Sequence, residues 1–206
     1  MLDQELKEFI EQHIDMIEHG NFEDLYSAAS DTEDGLSYPG KLTDILYGLG
    51  VDPLLNIDYI PKFYLDGSSA KEFTVPSHVI NSVQSSFAYC SVPQVKLHDE
   101  FELGTSCFAR SLITSVRIPD IQIEIPVDCF FGCHNLEYVD LNQVERIESQ
   151  AFDYCSKLKE IFIPNTVNYI SEMAFGKRRS VTLLVDRSNR YAVEWALQHD
   201  KEYRYV

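Results

Sequence analysis

No stretch of this chain supplies the roughly 18 consecutive apolar residues that a membrane-crossing helix needs. Its first residues, MLDQELKEFI, are acidic and amphipathic. They lack the basic start, apolar block and small-residue cleavage site of a secretory signal. The expectation is a cytoplasmic protein with no membrane partner. Basic residues are scarce too: 17 Lys and Arg stand against 33 Asp and Glu, a net charge of −16. Direct nucleic-acid binding needs a basic footprint, so nucleic acid is not an expected partner. The sequence holds no nucleophile elbow, no P-loop and no H-E-x-x-H. No catalytic residue, metal or cofactor is therefore expected. What is present in quantity is apolar surface, 45% of residues, enough for a folded core.

The charge is unevenly spread. Residues 1–60 carry 14 acidic side chains against Lys7 and Lys41, whereas residues 61–206 carry 19 against 15 basic ones. Such asymmetry marks a boundary between two functional parts.

The dominant feature is repetition. A Phe preceded by a small residue recurs at Ser86-Phe87, Cys107-Phe108, Cys129-Phe130, Ala151-Phe152 and Ala174-Phe175, at spacings of 21, 22, 22 and 23. An alternating apolar pair recurs with the same period: Phe73/Val75, Val95/Leu97, Val116/Ile118, Val139/Leu141, Ile161/Ile163 and Leu183/Val185. Each pair reads as a short strand with one face buried. Pro76, Pro119 and Pro164 follow three of them and end the pairing there. One such unit cannot bury its own apolar side, but stacked units can, which predicts a solenoid.

The segments AFDYCSKLKEIFIPNTVNYISEMAF (151–175) and CFFGCHNLEYVDLNQVERIESQAF (129–152) resemble the BspA-like class of leucine-rich repeats. The likeness covers about residues 63–186. The unit from Phe108 has Ser111 where Cys belongs and Gln122 where an apolar residue belongs. The unit from Phe87 departs furthest. The resemblance implies a short-strand leucine-rich-repeat solenoid over 61–187 with a helix–strand cap over 188–206, and the acidic segment 1–60 reads as a helical N-terminal cap, an α+β fold in all. Members of the class occur among surface proteins and phage proteins, and the whole-chain pattern resembles those of phages and prophages of Gram-positive bacteria.

The caps can also be read directly. Leu2, Leu6, Phe9, Ile10, His13, Ile14 and Ile17 form one helical stripe that Gly20 stops. A second helix follows through FEDLYSAAS, a loop through DTEDGLSYPG, a third helix through KLTDILYGLG and a short fourth from Asp52-Pro53. At the other end Ser188 or Asn189 caps a helix carrying Ala192, Trp195 and Ala196, and Tyr203 and Tyr205 alternate as a closing strand.

Cys90, Cys133 and Cys155 follow the Phe ladder at +3, and Cys107 and Cys129 take its small-residue place. The preferred reading is a column of buried thiols. Disulfides would need an oxidising compartment. Zinc would need a second pair facing Cys129-x3-Cys133-His134, and none is apparent. His13 falls on the apolar stripe and is read as a half-buried cap residue. Lys177-Arg178-Arg179 is read as a solvated basic loop.

Two surfaces stand out as candidates for a partner. Glu8, Glu11, Asp15 and Glu18 are spaced to line one helix face, and Glu23, Asp24, Asp31, Glu33 and Asp34 continue the acidic run. The second surface is the open side of the sheet: Lys96, Arg117, Tyr138, Asp140, Glu160, Phe162 and Leu184, with Thr74 at its start. Either the C-terminal cap covers Phe162 and Leu184, or they form an apolar pair in the open with Tyr138 as an anchor. The resulting expectation is a non-enzymatic intracellular binding protein whose partner is a protein with a basic surface. Given the phage-like resemblance, a CRISPR effector held by imitation of DNA charge is the concrete case. The alternative is a surface adhesin.

Overall fold

The computed structural model describes residues 4–30, 39–176 and 181–206. Asp31, Glu33, Asp34 and the basic cluster Lys177-Arg178-Arg179 lie outside them. The N-terminal helices are α1 (Gln4–Gln12), α2 (Ile14–Glu18), α3 (Phe22–Ser30) and α4 (Pro39–Gly48). The apolar stripe does bury Leu6 and Phe9 and half-buries Ile10, His13 and Ile17, but Ile14 is exposed and Leu2 lies outside the described residues. It does so on two helices, not the single one expected. The break is at His13, whose φ/ψ of −114°/20° leaves the helical region. Its ring stacks on Phe9 at 4.1 Å and its Nδ1 sits 2.9 Å from the Phe9 carbonyl oxygen. A side chain that bonds its own preceding turn competes with a continuing helix. Gly20 ends α2 as expected, at φ +69°.

Pro39 and Gly40, expected in the loop, open α4, where proline's missing N–H costs nothing. The fourth helix expected from Asp52 is replaced by turns. Asp52 Oδ1 accepts the Leu54 N–H at 2.9 Å, and the Leu55 N–H donates to the Asp52 oxygen at 3.2 Å. The first strand, β1 (Tyr59–Ile60), follows directly and falls inside the 1–60 segment expected to be helical.

The coils alternate two kinds of strand: β2 (Glu72–Thr74), β3 (Asn81–Ser82), β4 (Gln94–Lys96), β5 (Ser115–Arg117), β6 (Glu124–Ile125), β7 (Tyr138–Asp140), β8 (Arg146–Ile147), β9 (Glu160–Ile163), β10 (Tyr169–Ile170) and β11 (Thr182–Val185). The pairing among these strands is parallel and joins equivalent strands of successive coils: β2 with β4, β5 with β7 and β9 with β11 on one side, β1 with β3 and β6 with β8 with β10 on the other. Val95, Val116, Val139, Ile161 and Leu183 point into the core.

Between the two sides runs the phenylalanine column. Phe87, Phe108, Phe130, Phe152 and Phe175 are all buried, and consecutive centroids are 5.0, 5.6, 5.3 and 5.6 Å apart. From Phe108 onward the planes lie within 13° of parallel. A backbone ladder fixes that spacing: the Phe108 N–H donates to the Cys129 oxygen at 2.8 Å and the Phe130 N–H to the Ala151 oxygen at 2.9 Å. The five thiols are free and buried beside it. Burial raises all five thiol pKa values, Cys90 and Cys107 to about 12 and Cys133 to about 11.

The irregular coil is repaired by polar side chains. Gln122 Oε1 accepts the Leu103 N–H at 2.8 Å and its Nε2 donates to the Glu124 oxygen at 2.5 Å. Gln122 thereby satisfies backbone groups where β6 has no strand neighbour on that side. One coil earlier, Ser82 Oγ takes the Gly104 N–H at 2.8 Å.

The C-terminal cap forms as expected, with Asn189 rather than Ser188 at the helix start. Its Oδ1 accepts the Ala192 N–H at 2.9 Å, while its Nδ2 donates to the Pro164 and Val167 oxygens at 2.7 and 3.0 Å. One side chain thus starts α5 (Arg190–Gln198) and ties it to the last coils. Trp195 closes the phenylalanine column edge-on, 6.0 Å from Phe175. The chain then adds β12 (Tyr203–Tyr205) beside β11.

Candidate functional site

Strand alternation decides which residues reach the open face. With Val95, Val116, Val139, Ile161 and Leu183 inside, their neighbours point outward. Register then lines them up: Thr74 opposite Lys96, Arg117 opposite Asp140, Phe162 opposite Leu184, and Leu184 opposite Arg204 of β12. A parallel column holds Ser115 opposite Tyr138 and Glu160 opposite Thr182. All seven expected face residues therefore lie on this side.

The face has an apolar centre. Tyr138 is 62% exposed and Phe162 42%. Together with Val139, Leu184 and the stems of Lys157 and Lys159 they line an open groove of about 530 Å³. β12 half-covers Leu184 and leaves Phe162 open, so the cap does not hide the pair.

Around that centre the charges are matched between coils. Lys96 reaches Glu72 at 2.7 Å and Lys157 reaches Glu137 at 3.6 Å. Arg204 pairs with Glu160, and Arg117 binds Asp99 and Asp120 with Asp140 4.0 Å away. Hydrogen bonds that Arg117 donates to Asp99 and Asp120 hold its guanidinium above its ordinary range, and Asn142 and Arg117 hold Asp120 below the usual carboxylate range. Exposed pairs of this kind contribute only ~0–1 kcal/mol each to folding. Their effect is on which surfaces can approach. Glu137, Lys157 and Lys159 escape a reading confined to strand residues, and Arg204 stands on β12, outside the repeat. Glu137 and Lys159 occupy the same place in successive coils, so the 22-residue period does point to them.

The acidic surface is divided. Glu8 and Glu11 lie on α1, Asp15 and Glu18 on α2 beyond the break at His13, and Glu23 and Asp24 on α3. All six are exposed, but the single helical row expected of the first four is not formed. Glu23 and Asp24 line a cleft of about 340 Å³ with Tyr26, Tyr59 and Lys62. Burial, with Glu23 alongside, pushes the Tyr59 hydroxyl up to about 12.

Residues 56–183 match six copies of the BspA type leucine rich repeat region. The chain belongs to this BspA-type leucine-rich-repeat family. A solved structure with the same fold is that of a leucine rich cell surface protein from Faecalibacterium prausnitzii A2-165, with a TM-score of 0.56 and 22% sequence identity. The match covers 72% of this chain and 35% of that one, so this chain spans about a third of the longer protein. No curated protein matches. Leucine-rich-repeat solenoids generally mediate protein interactions and are generally non-enzymatic. The described residues bring no group of three or more His, Cys, Asp or Glu into a metal-binding arrangement. No helix among them is long and apolar enough to cross a membrane.

Proposed function

We propose that this BspA-type repeat protein is a non-enzymatic binding module that grips a partner protein across the open sheet face. The observation that carries the reading is the exposed pair Tyr138 and Phe162, with half-covered Leu184 beside them, inside a frame of matched ion pairs. An apolar centre with a polar rim is the anatomy of protein interfaces, and aromatic anchors dominate their energetics. The partner's complementary patch carries apolar side chains facing the trio.

The narrower reading adds the acidic cap. With 14 acidic against two basic side chains in residues 1–60, the cap suits a partner with a basic surface. On that reading the protein is a phage-encoded inhibitor, working in the host cytoplasm, that occupies the groove of a CRISPR effector or another nucleic-acid-handling protein. Charge is its only support. Placement at the cell surface, as an adhesin, is supported instead by the structural likeness to a leucine rich cell surface protein.

One experiment separates them. Partners are captured on the wild-type protein and on Tyr138→Ala/Phe162→Ala, across a salt series. Loss of the partner in the double variant at every salt supports the face. Equal retention by both proteins sinks it. Retention that is unchanged from low to high salt sinks charge mimicry, because exposed ion pairing is screened.

A further inference from the structure

Each coil turns a corner through a left-handed residue, and these corners stack. Gly67, Tyr89, Arg110, Gly132, Tyr154 and Gly176 all have φ between +56° and +72° and recur at spacings of 22, 21, 22, 22 and 22. Side chains at this place leave the coil on one line, ahead of the strands of the open face. Tyr89 and Tyr154 are 47% and 46% exposed.

Half-buried phenylalanines join them into a ridge. Phe63 packs on Tyr89 at 6.1 Å and Phe131 meets Tyr154 edge-on at 5.4 Å. Arg110 bridges the two pairs, its guanidinium 5.9 Å from the Tyr89 ring and 5.9 Å from the Phe131 ring. Gly132 makes this possible: a Cβ there would lie 3.1 Å from Arg110 Cγ, across the path of the arginine stem. The ridge crosses four coil steps, roughly 20 Å at a strand spacing of about 4.8 Å, the length of about six extended residues.

Two observations say what covers it. Arg110 shows that the spacing of neighbouring coils accepts a guanidinium between aromatic rings. Residues 61–206, which hold the ridge, carry 19 acidic against 15 basic side chains, and the ridge turns themselves contain Asp66 and Asp128. Ring faces and carboxylates both attract cations, and guanidinium stacks on rings better than ammonium does. The geometry points to the Phe63–Tyr154 ridge as a second docking surface, whose occupant is an extended, arginine-bearing segment of another protein. The ridge is separate from the Tyr138–Phe162–Leu184 groove and does not rest on that groove's role.

The test uses fluorescein-labelled hexa-arginine and hexa-lysine peptides, titrated by anisotropy into the full chain at about 0.15 M salt, where long-range attraction is screened. The wild-type protein is expected to bind hexa-arginine at least fivefold more tightly than hexa-lysine. Tyr89→Asn/Tyr154→Asn abolishes that preference, and Tyr89→Phe/Tyr154→Phe keeps it. Asparagine tolerates the left-handed conformation, so the ring is removed without straining the turn. Tyr138→Ala/Phe162→Ala leaves the preference unchanged, which keeps a failure here distinct from a failure of the open face. Equal affinity for the two peptides, or a preference that survives the asparagine variant, overturns the proposal.

Discussion

Phe130 is the ring whose removal tests the solenoid most directly. It is fully buried and lies between Phe108 at 5.6 Å and Phe152 at 5.3 Å, with planes 9° and 5° from parallel. Truncating a buried Phe to Ala costs about 3–5 kcal/mol, the larger values arising where the surroundings cannot close the void. Here they cannot: the backbone bonds from Phe108 to Cys129 and from Phe130 to Ala151 hold the coils at their spacing. Two stacked contacts disappear as well, each worth ~0.5–1.5 kcal/mol beyond burial and partly contained in that range. Phe130→Ala should therefore cost about 4–5 kcal/mol, and Phe130→Leu, which refills most of the volume, about 1–2. Urea unfolding followed by far-UV circular dichroism measures both. Trp195 supplies a second signal from the column's far end. Coils couple only to their neighbours, so in Phe130→Ala the two signals should part, whereas in the wild type they coincide. A loss below about 1.5 kcal/mol, or the same loss for Ala and Leu, would refute the claim that this column carries the fold.

The junction between cap and solenoid offers two further tests. A Cβ at Gly40 would fall 2.5 Å from the Asp66 carbonyl oxygen, which accepts the Gly40 N–H at 2.8 Å, so Gly40→Ala must separate α4 from the first coil. Limited proteolysis should then cut between the cap and the solenoid, and a digestion pattern like that of the wild type would contradict the close approach. Burial at the same junction raises the Asp66 carboxyl from 3.8 to about 6. The folded state thus favours the protonated form. That contribution is complete below about pH 4 and is lost as pH climbs through 6. Asp66→Asn should raise the thermal midpoint at pH 7.5 and leave it unchanged near pH 4, and an equal shift at both values would count against the burial.

The repeat was legible because every coil meets the same constraint. A ring must fill the core and a two-residue alternation must face it, so the Phe and strand ladders survive wherever the coil is regular. The first coil hid from this reading. It places Leu65 where the others place Phe, and Phe63 takes the left-handed position that Ser85 holds one coil later. The corners hid as well, since Tyr89, Arg110 and Tyr154 take conformations usually signalled by glycine. Composition at a turn reports the average cost of that conformation, and a stacked coil can offset about 1–2 kcal/mol of it. His13 defeated the helix pattern for a related reason: the apolar spacing stayed helical while its ring captured the preceding turn. On the open face, alternation and period together gave the outward columns, including Tyr138, Phe162 and Leu184. The rim needed coil stacking, because Glu137 meets Lys157, and Glu160 meets Arg204, only after the chain has gone round.

Charge therefore means different things at the two ends of the molecule. On the open face Lys96, Arg117, Lys157 and Arg204 each find an acid on their own or a nearby coil, so the field there is short-ranged and the uncovered feature is apolar. In the cap, six exposed carboxylates on α1, α2 and α3 belong to a segment with two basic residues, so the field extends into solvent. A screened long-range field governs how fast a basic partner arrives, and a buried apolar centre governs how long it stays. Neutralising the cap should accordingly slow association, whereas truncating Tyr138 and Phe162 should speed dissociation. The two surfaces can then serve one partner without duplicating each other.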